Sequence, residues 1–354
     1  MKALALVDAP DHVCCRYRIR AFAPALAAAG IDLTIQGIPR SPLKRISQLL
    51  GASRYDLVIL QRKLLPVWQL AILRKMAKQL IFDYDDAVLY RDSFDPRGSQ
   101  SKRRISRFAQ TVRLCDTVIA GNDFLADCAL RAGARAEDVR VIPTCVDPHR
   151  YPIPKAKTSA SGLALTWIGS SSTLQGLERE RSLWERLGQE VPGLKLRVVC
   201  DRFPDFQDLP VVNIPWSEAT EAEELAQADV GLGWVPDDLW SRGKCGLKVL
   251  QYGAAGLPVV ANPVGVHPEM VVPGVTGFLP ESTEDWIKAL KTLSGDERAR
   301  HNMGRAARQM IEARYAVDLW SSAFVGAVAG THAPARPRIS HAASPVTRPT
   351  VTSV

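Results

Sequence analysis

Eleven apolar runs of four to six residues alternate with amphipathic segments along this chain, and no other feature constrains its fold as strongly. The first six lie at Ala3–Val7, Asp32–Gly37, Tyr55–Leu60, Leu80–Tyr84, Thr117–Ala120 and Val139–Pro143. Helical patterns such as RIRAFAPALAAAG, PVWQLAILRKMAK and DFLADCALRAG separate them. Short apolar strands divided by helices predict a parallel sheet covered on both faces. Tyr151–Gly162 is rich in Pro, Lys, Ser and Thr, lacks apolar periodicity and reads as a linker. The pattern then restarts, with strands at Leu163–Ile168, Lys195–Val199, Val211–Ile214, Val230–Trp234 and Pro258–Ala261. The expected architecture is α/β: two doubly wound domains whose carboxyl sheet edges face a shared cleft. Residues 1–152 make the first domain and 160–314 the second, while a helix over 315–330 returns to the first. Residues 331–354, dominated by Pro, Arg, Ser, Thr and Ala, are expected to be disordered.

Composition narrows the classes of function. No run of 18 apolar residues occurs, so no membrane-spanning helix is expected. The apolar start of MKALALVDAPDH ends at Asp8, too soon for a secretory signal, and reads as a first strand. The seven cysteines form no CxxC pair and the six histidines are scattered. Neither a zinc site nor a disulfide framework is expected, and reduced thiols point to a cytoplasmic location. Charge is uneven: residues 1–155 carry 25 Lys and Arg against 15 Asp and Glu, whereas residues 156–354 carry 20 against 22. A basic half suits nucleic acid, anionic lipid headgroups or a phosphorylated substrate, and equally a plain solvated surface.

Chemistry concentrates in SRGKCGLKVLQYGAAGLPVVANPVG, Ser241–Gly265. A loop leaving one strand carries Arg242 and Lys244, Gly246 follows, and Lys248 lies in the first turn of the next helix. A helix that starts at the carboxyl end of a parallel strand points free N–H groups into the cleft, where a phosphate can accept them. Cations there oppose the helix dipole, at about 0.3–1 kcal/mol each, unless an anion completes the set. That pattern points to a diphosphate site, with a solvated loop of chance cations as the bland alternative. There is no GxxxxGK[ST] and no GxGxxG after either first strand, so neither a P-loop nor a dinucleotide site is supported. The turn Gly169–Thr173, directly after the strand Leu163–Ile168, offers further amides and hydroxyls to a phosphate or sugar.

The segments WIGSSST, VVNIPWSEATEAEELAQADVGLGWVP, GKCGLKVLQYGAAGLPVVANPVGVHPEMVVPGVTGFL and, upstream, VIPTCVD together resemble the nucleotide-sugar glycosyltransferases of the two-Rossmann, GT-B type, specifically family 4. The resemblance is strongest over Trp167–Leu279 and looser earlier, where YRIR, FDYDDA and VIAGNDFL fit the general pattern. It implies two Rossmann-like domains, with a nucleotide diphospho-sugar donor held mainly by the second and a glycan or lipid-linked acceptor held by the first. It further implies transfer with retention at the anomeric carbon, no metal or other cofactor, and no nucleic acid partner. Carried onto this sequence, the amides of Cys245, Gly246 and Leu247 meet the diphosphate, with Lys248 and Arg242 neutralising it. Ile214 and Trp216 lie where the family holds the base, and Gly169 and Ser170 face the donor phosphates or the cleft. His267, or the amides of Gly265 and Val266, touch the donor sugar. The family usually carries two Glu seven residues apart, positions held here by Lys244 and Gln251. Gln251 can accept and donate toward ribose hydroxyls, whereas Lys244 cannot accept and is expected to stabilise the leaving diphosphate.

Three groups in the first half join the candidates. Asp85 and Asp86, in FDYDDA, follow the fourth strand and face the cleft, where they position an acceptor, assist as base, brace a loop or hold a divalent ion. His12, Arg16 and Arg18 follow the first strand, and the two arginines suit an acceptor phosphate. SKRRISRFAQTVR is a basic amphipathic helix, suited either to peripheral contact with an anionic membrane at its inner face or to covering the sheet from solvent. Two rivals to a transferase remain, a sugar-nucleotide epimerase of the same form and a catalytically silent partner subunit that binds a nucleotide-sugar or a glycan.

Overall fold

The computed structural model describes residues 1–153 and 162–330. Residues 154–161 of the expected linker, and the expected tail at 331–354, lie outside them. Two six-stranded sheets, both wholly parallel, carry the fold. The first comprises β1 (Lys2–Val7), β2 (Asp32–Gly37), β3 (Leu57–Gln61), β4 (Gln79–Tyr84), β5 (Thr117–Ala120) and β6 (Val139–Val141). The second comprises β7 (Ala164–Ile168), β8 (Lys195–Cys200), β9 (Val211–Pro215), β10 (Val230–Gly233), β11 (Val259–Ala261) and β12 (Gly277–Phe278). Strand order is β2-β1-β3-β4-β5-β6 in one and β12-β11-β10-β7-β8-β9 in the other. Each order reverses direction once, between β1 and β3 and between β7 and β10. Loops leaving the paired strands there diverge to opposite faces and open a crevice at the carboxyl edge.

Alternation along the strands assigns two cores to the first sheet. Leu4, Leu6, Val58, Leu60 and Phe82 pack beneath the helices Pro42–Gly51, Val67–Met76, Lys102–Leu114 and Asp123–Arg131. Ala3, Ala5, Val7, Ile59 and Ile81 pack on the other face, with Ile19, Phe22 and Leu26. The helix Val317–Ala329 completes that second layer, far in sequence from the strands it covers. Its Phe324 is fully buried and stacks on Phe22 at 4.2 Å between centroids. The two passes of chain between the domains lie side by side, with Val146 N donating to Tyr315 O and Val317 N to Val146 O, both at 3.0 Å.

The sequence reading differs from the structure mainly at strand ends. Tyr55 leaves a 3-10 turn over Ala52–Arg54, so β3 starts at Leu57. β6 stops at Val141, two residues before Pro143, which has no N–H to offer a ladder. The edge strand β12 is only two residues long and left no apolar run to notice. Truncating Phe324→Ala removes a fully buried ring between the last helix and the first sheet, and is expected to cost about 3–5 kcal/mol, read from chemical denaturation.

Candidate functional site

In the second domain the site begins where β10 ends. Asp238 accepts from Ser241 N at 2.8 Å and caps a single turn, Leu239–Arg242. Gly246 then adopts φ +64, a left-handed conformation that side chains rarely take. A Cβ there would lie 2.5 Å from Met270 Sδ and 3.0 Å from Val266 Cγ2, so close packing of the loop demands glycine as well. The helix Leu247–Ala254 follows, and among the described residues the amides of Cys245, Gly246 and Leu247 make no backbone hydrogen bond. These free donors at a helix N-terminus carry the positive end of the dipole.

Lys248 stands over that end. Its Nζ lies 3.5 Å from Thr173 Oγ1 and 4.9 Å from the centroid of the Trp167 ring. The lysine helix and the turn after β7 therefore meet at the crevice between β7 and β10. Gly169 is needed in this turn because a Cβ would sit 2.4 Å from the Trp167 indole. Ser170 and Thr173 form a capping box for the helix Ser171–Arg179, and Ser171 N donates to Asp201 at 2.7 Å. Loss of water around the ammonium, and then repulsion from Lys244, depress Lys248 to about 7. Lys244 is half-buried, 5.8 Å from the Trp240 ring centroid.

The loop after β11 closes one side. Gly265, at φ +61, passes over Ser241, where a Cβ would lie 3.2 Å from the Ser241 carbonyl oxygen. Val266 and His267 are buried beside it. His267 Nδ1 is 2.8 Å from Asn262 O, and a carbonyl can only accept, so the proton sits on Nδ1. Burial, with the charges of Lys248 and Lys244, lowers His267 to about 4, so it is neutral at pH 7.

The first domain faces this cradle with its own carboxyl edge. Asp85 and Asp86 follow β4, and Arg62, just after β3, pairs with both. Arg62 has φ +57, the only positive φ outside glycine among the described residues, and also contacts Cys14. Ligand atoms of Cys14, Asp85 and Asp86 lie within 4.8 Å of one another, close enough for a metal ion. The Arg62 guanidinium already supplies a positive charge to the two carboxylates. The lysine loop is seated on this edge: Asn122 Nδ2 donates to Gly243 O and Lys244 O, each at 3.2 Å. Gly121 permits the fit, because a Cβ there would lie 2.3 Å from Cys245 Sγ.

Several expected site residues are engaged elsewhere. Arg18 is fully buried, pairs with Asp83 and donates to Ile142 O at 2.7 Å, so it belongs to the core and is unavailable to an acceptor. Arg16 pairs with Glu221 at 2.8 Å and also approaches Glu218, across the domain boundary. Gln251 Nε2 donates to Tyr17 Oη at 3.1 Å, and Trp216 Nε1 donates to Glu221 at 2.9 Å. Tyr17 and Tyr151 share a hydrogen bond of 2.7 Å in the same cluster. Gln251 is therefore buried in a joint between domains instead of open to a ribose. Arg242 is exposed and forks onto Asp237 at 2.9 and 3.2 Å, which neutralises it. His12 caps its helix by accepting from Cys14 N at 3.2 Å. Ile214 is half-buried against the core of the second domain, and Trp216 is 41% exposed beside it. A cavity of about 910 Å³ opens at the domain joint, bordered by Arg16, Tyr17, Tyr151, Pro148 and Val317, and none of the lysine loop lines it.

Sequence reasoning missed Arg62, Trp167 and Glu221, whereas Thr173 lies in the turn it named. Arg62 and Trp167 had one available signal, their position at the carboxyl end of an expected strand. Glu221 had none, because apart from nearby Trp216 its partners Arg16 and Tyr17 come from the other domain. Replacing Arg16→Met leaves the Glu221 carboxylate buried without its cation, and is expected to cost about 3–5 kcal/mol in chemical denaturation.

Residues 240–310 match the family described as "Glycosyl transferases group 1", and residues 30–150 match "Glycosyltransferase Family 4". Sulfoquinovosyl transferase SQD2 of Arabidopsis thaliana is 30% identical over 146 residues, covering 36% of this chain and 29% of that protein. D-inositol 3-phosphate glycosyltransferase of Corynebacterium aurimucosum is 44% identical over 64 residues, covering 18% and 15%. The chain thus spans less than a third of either curated relative. The fold is shared with HepE of Anabaena, solved with UDP and glucose, at TM-score 0.63 and 17% identity over 93% of this chain and 100% of that one. It is also shared with sucrose-phosphate synthase of Thermosynechococcus elongatus, at TM-score 0.69 and 17% identity over 92% and 96%.

Proposed function

Because the chain belongs to the family 4-like glycosyltransferases built from two Rossmann-like domains, we propose that it moves a sugar from a nucleotide diphospho-sugar to a hydroxyl acceptor. One observation carries the reading: unpaired amides at Cys245–Leu247, two lysines and the Ser170–Thr173 turn converge at one sheet edge, opposite the Asp85–Asp86 edge of the first domain. The donor diphosphate lies against the amides and Lys248, and the acceptor, a glycan or a lipid-linked sugar, lies toward Asp85. UDP-glucose is the first donor to test, given the ligands of HepE.

In the proposed reaction the bond between the anomeric carbon and the diphosphate oxygen breaks. The acceptor oxygen bonds to the same face of that carbon, which retains its configuration, and its proton passes to the departing diphosphate or to Asp85. Charge on the diphosphate grows as it leaves, and Lys244, Lys248 and the helix dipole are fixed where it grows. These protein cations support a reaction that needs no metal ion. Neutral His267 and the amides of Gly265 and Val266 border the donor sugar.

A silent partner subunit is the second reading, favoured by Lys244 and Gln251 at the two positions where the family usually has Glu, and by the bond from Gln251 to Tyr17. Radiolabelled donors offered with and without acceptor separate the readings. Slow donor hydrolysis supports a transferase, an isomerised sugar an epimerase, and binding without turnover the partner subunit.

Lys248→Ala is expected to weaken donor binding by about 2 kcal/mol, measured by calorimetry below pH 7. A bound diphosphate stabilises the charged ammonium and lifts it above its free value of about 7. Donor affinity should therefore be greatest below pH 7 and fall as pH rises, with proton uptake on binding at pH 8 and none in Lys248→Ala. Asp85→Asn is expected to lower turnover more than donor affinity, which steady-state kinetics beside calorimetry resolves.

A further inference from the structure

Three helices that cover one face of the first sheet share an unusual outer surface. Pro42–Gly51, Val67–Met76 and Lys102–Leu114 contain no acidic residue, and neither does the chain between Asp32 and Asp56 or between Asp56 and Asp83. The helices lie side by side: Arg45 donates to Gln69 at 3.3 Å, and Arg107 donates to Leu64 O at 3.3 Å. Large apolar side chains stand outward on this layer, with Leu43 79%, Trp68 54%, Leu50 50% and Val67 46% exposed. Leu43 and Leu50, seven residues apart, share the outer stripe of their helix, while Leu49 turns into the core. Exposed Lys44, Lys75, Lys102 and Arg103 sit among them, with no ion pair among the described residues. In the last helix of the three, Arg104, Arg107 and Arg113 instead brace neighbouring loop carbonyls. The helices of the second domain differ in carrying acidic partners for some of their exposed cations, as in Arg186–Glu190 and Lys291–Glu190.

We infer that this three-helix face docks on an anionic phospholipid bilayer. Unpaired lysines are drawn to a negatively charged leaflet, and Leu43, Leu50 and Trp68 enter the boundary between headgroups and acyl chains. A nucleic acid would use the lysines but would not reward exposed leucines, so the apolar tips decide the partner. No helix among the described residues is long and apolar enough to cross a membrane, so the contact is at the surface. The inference is independent of the transferase reading, because none of these residues belongs to the donor loops.

The test is flotation of the full chain with vesicles of phosphatidylcholine alone or mixed equally with phosphatidylglycerol. The natural sequence should float with the anionic vesicles and not with the neutral ones. Leu43→Ser with Trp68→Ser, and separately Lys44→Glu with Lys75→Glu, should each lower partitioning by about tenfold or more. Both variants change exposed side chains, so thermal unfolding and UDP-glucose affinity should match the natural sequence. Failure of the natural sequence to float with anionic vesicles at low salt would overturn the inference. So would full binding by the Leu43→Ser, Trp68→Ser variant when the lysine variant is lost, the pattern of a general polyanion surface. Either failure leaves donor binding, and hence the transferase reading, untouched.

Discussion

The helix Leu247–Ala254 begins at a left-handed glycine, and its first amides have no backbone partner, so positive charge is concentrated at the point where β10 delivers the chain to the cleft. Lys244 and Lys248 add to a dipole they oppose. The arrangement leaves Lys248 depressed toward neutrality by desolvation and by its neighbour. An electrostatic conflict of this kind is relieved by an anion and by little else, since Arg242 is already satisfied by Asp237. The close packing of Gly246, Met270 and Val266 holds the loop in that conformation, so the charge is built into the fold and does not depend on a mobile side chain.

The same loop is also a contact between domains. Asn122 holds two of its carbonyls, and Cys245 fits against Gly121. A few residues away, Arg16, Tyr17, Glu221 and Gln251 join the domains through buried polar contacts. Buried charge is expensive unless paired, so this cluster holds the domains in one relative position more by specificity than by net attraction. A ligand that meets the lysine loop therefore touches a segment whose backbone already bridges the two halves.

How much of this was legible in the sequence depended on the range of the interaction. Strands announce themselves through local apolar runs, and the errors fell at Tyr55, at Pro143 and at the two-residue β12, where local signals are weakest. The lysine loop was visible because glycine, cations and a helix pattern lie within a few residues. Arg18 was not: an arginine after a strand looks the same whether it faces a ligand or a carboxylate, and Asp83 lies 65 positions away. Gln251 failed in the same way, its partner Tyr17 being 234 positions distant. Arg62 escaped notice because its left-handed backbone and its two carboxylates appear only when β3 and β4 are side by side.

Taken by itself, the order of residues determined the two α/β units and the turn where a helix start, a glycine and lysines coincide. Period and spacing are properties of neighbours in the chain, and they survive without any knowledge of folding. Only the tertiary structure decided which charged groups are free and which are spent. Pairing at three or four ångströms depends on where distant segments come to rest, and hydrophobic burial, which is blind to charge, sets that placement.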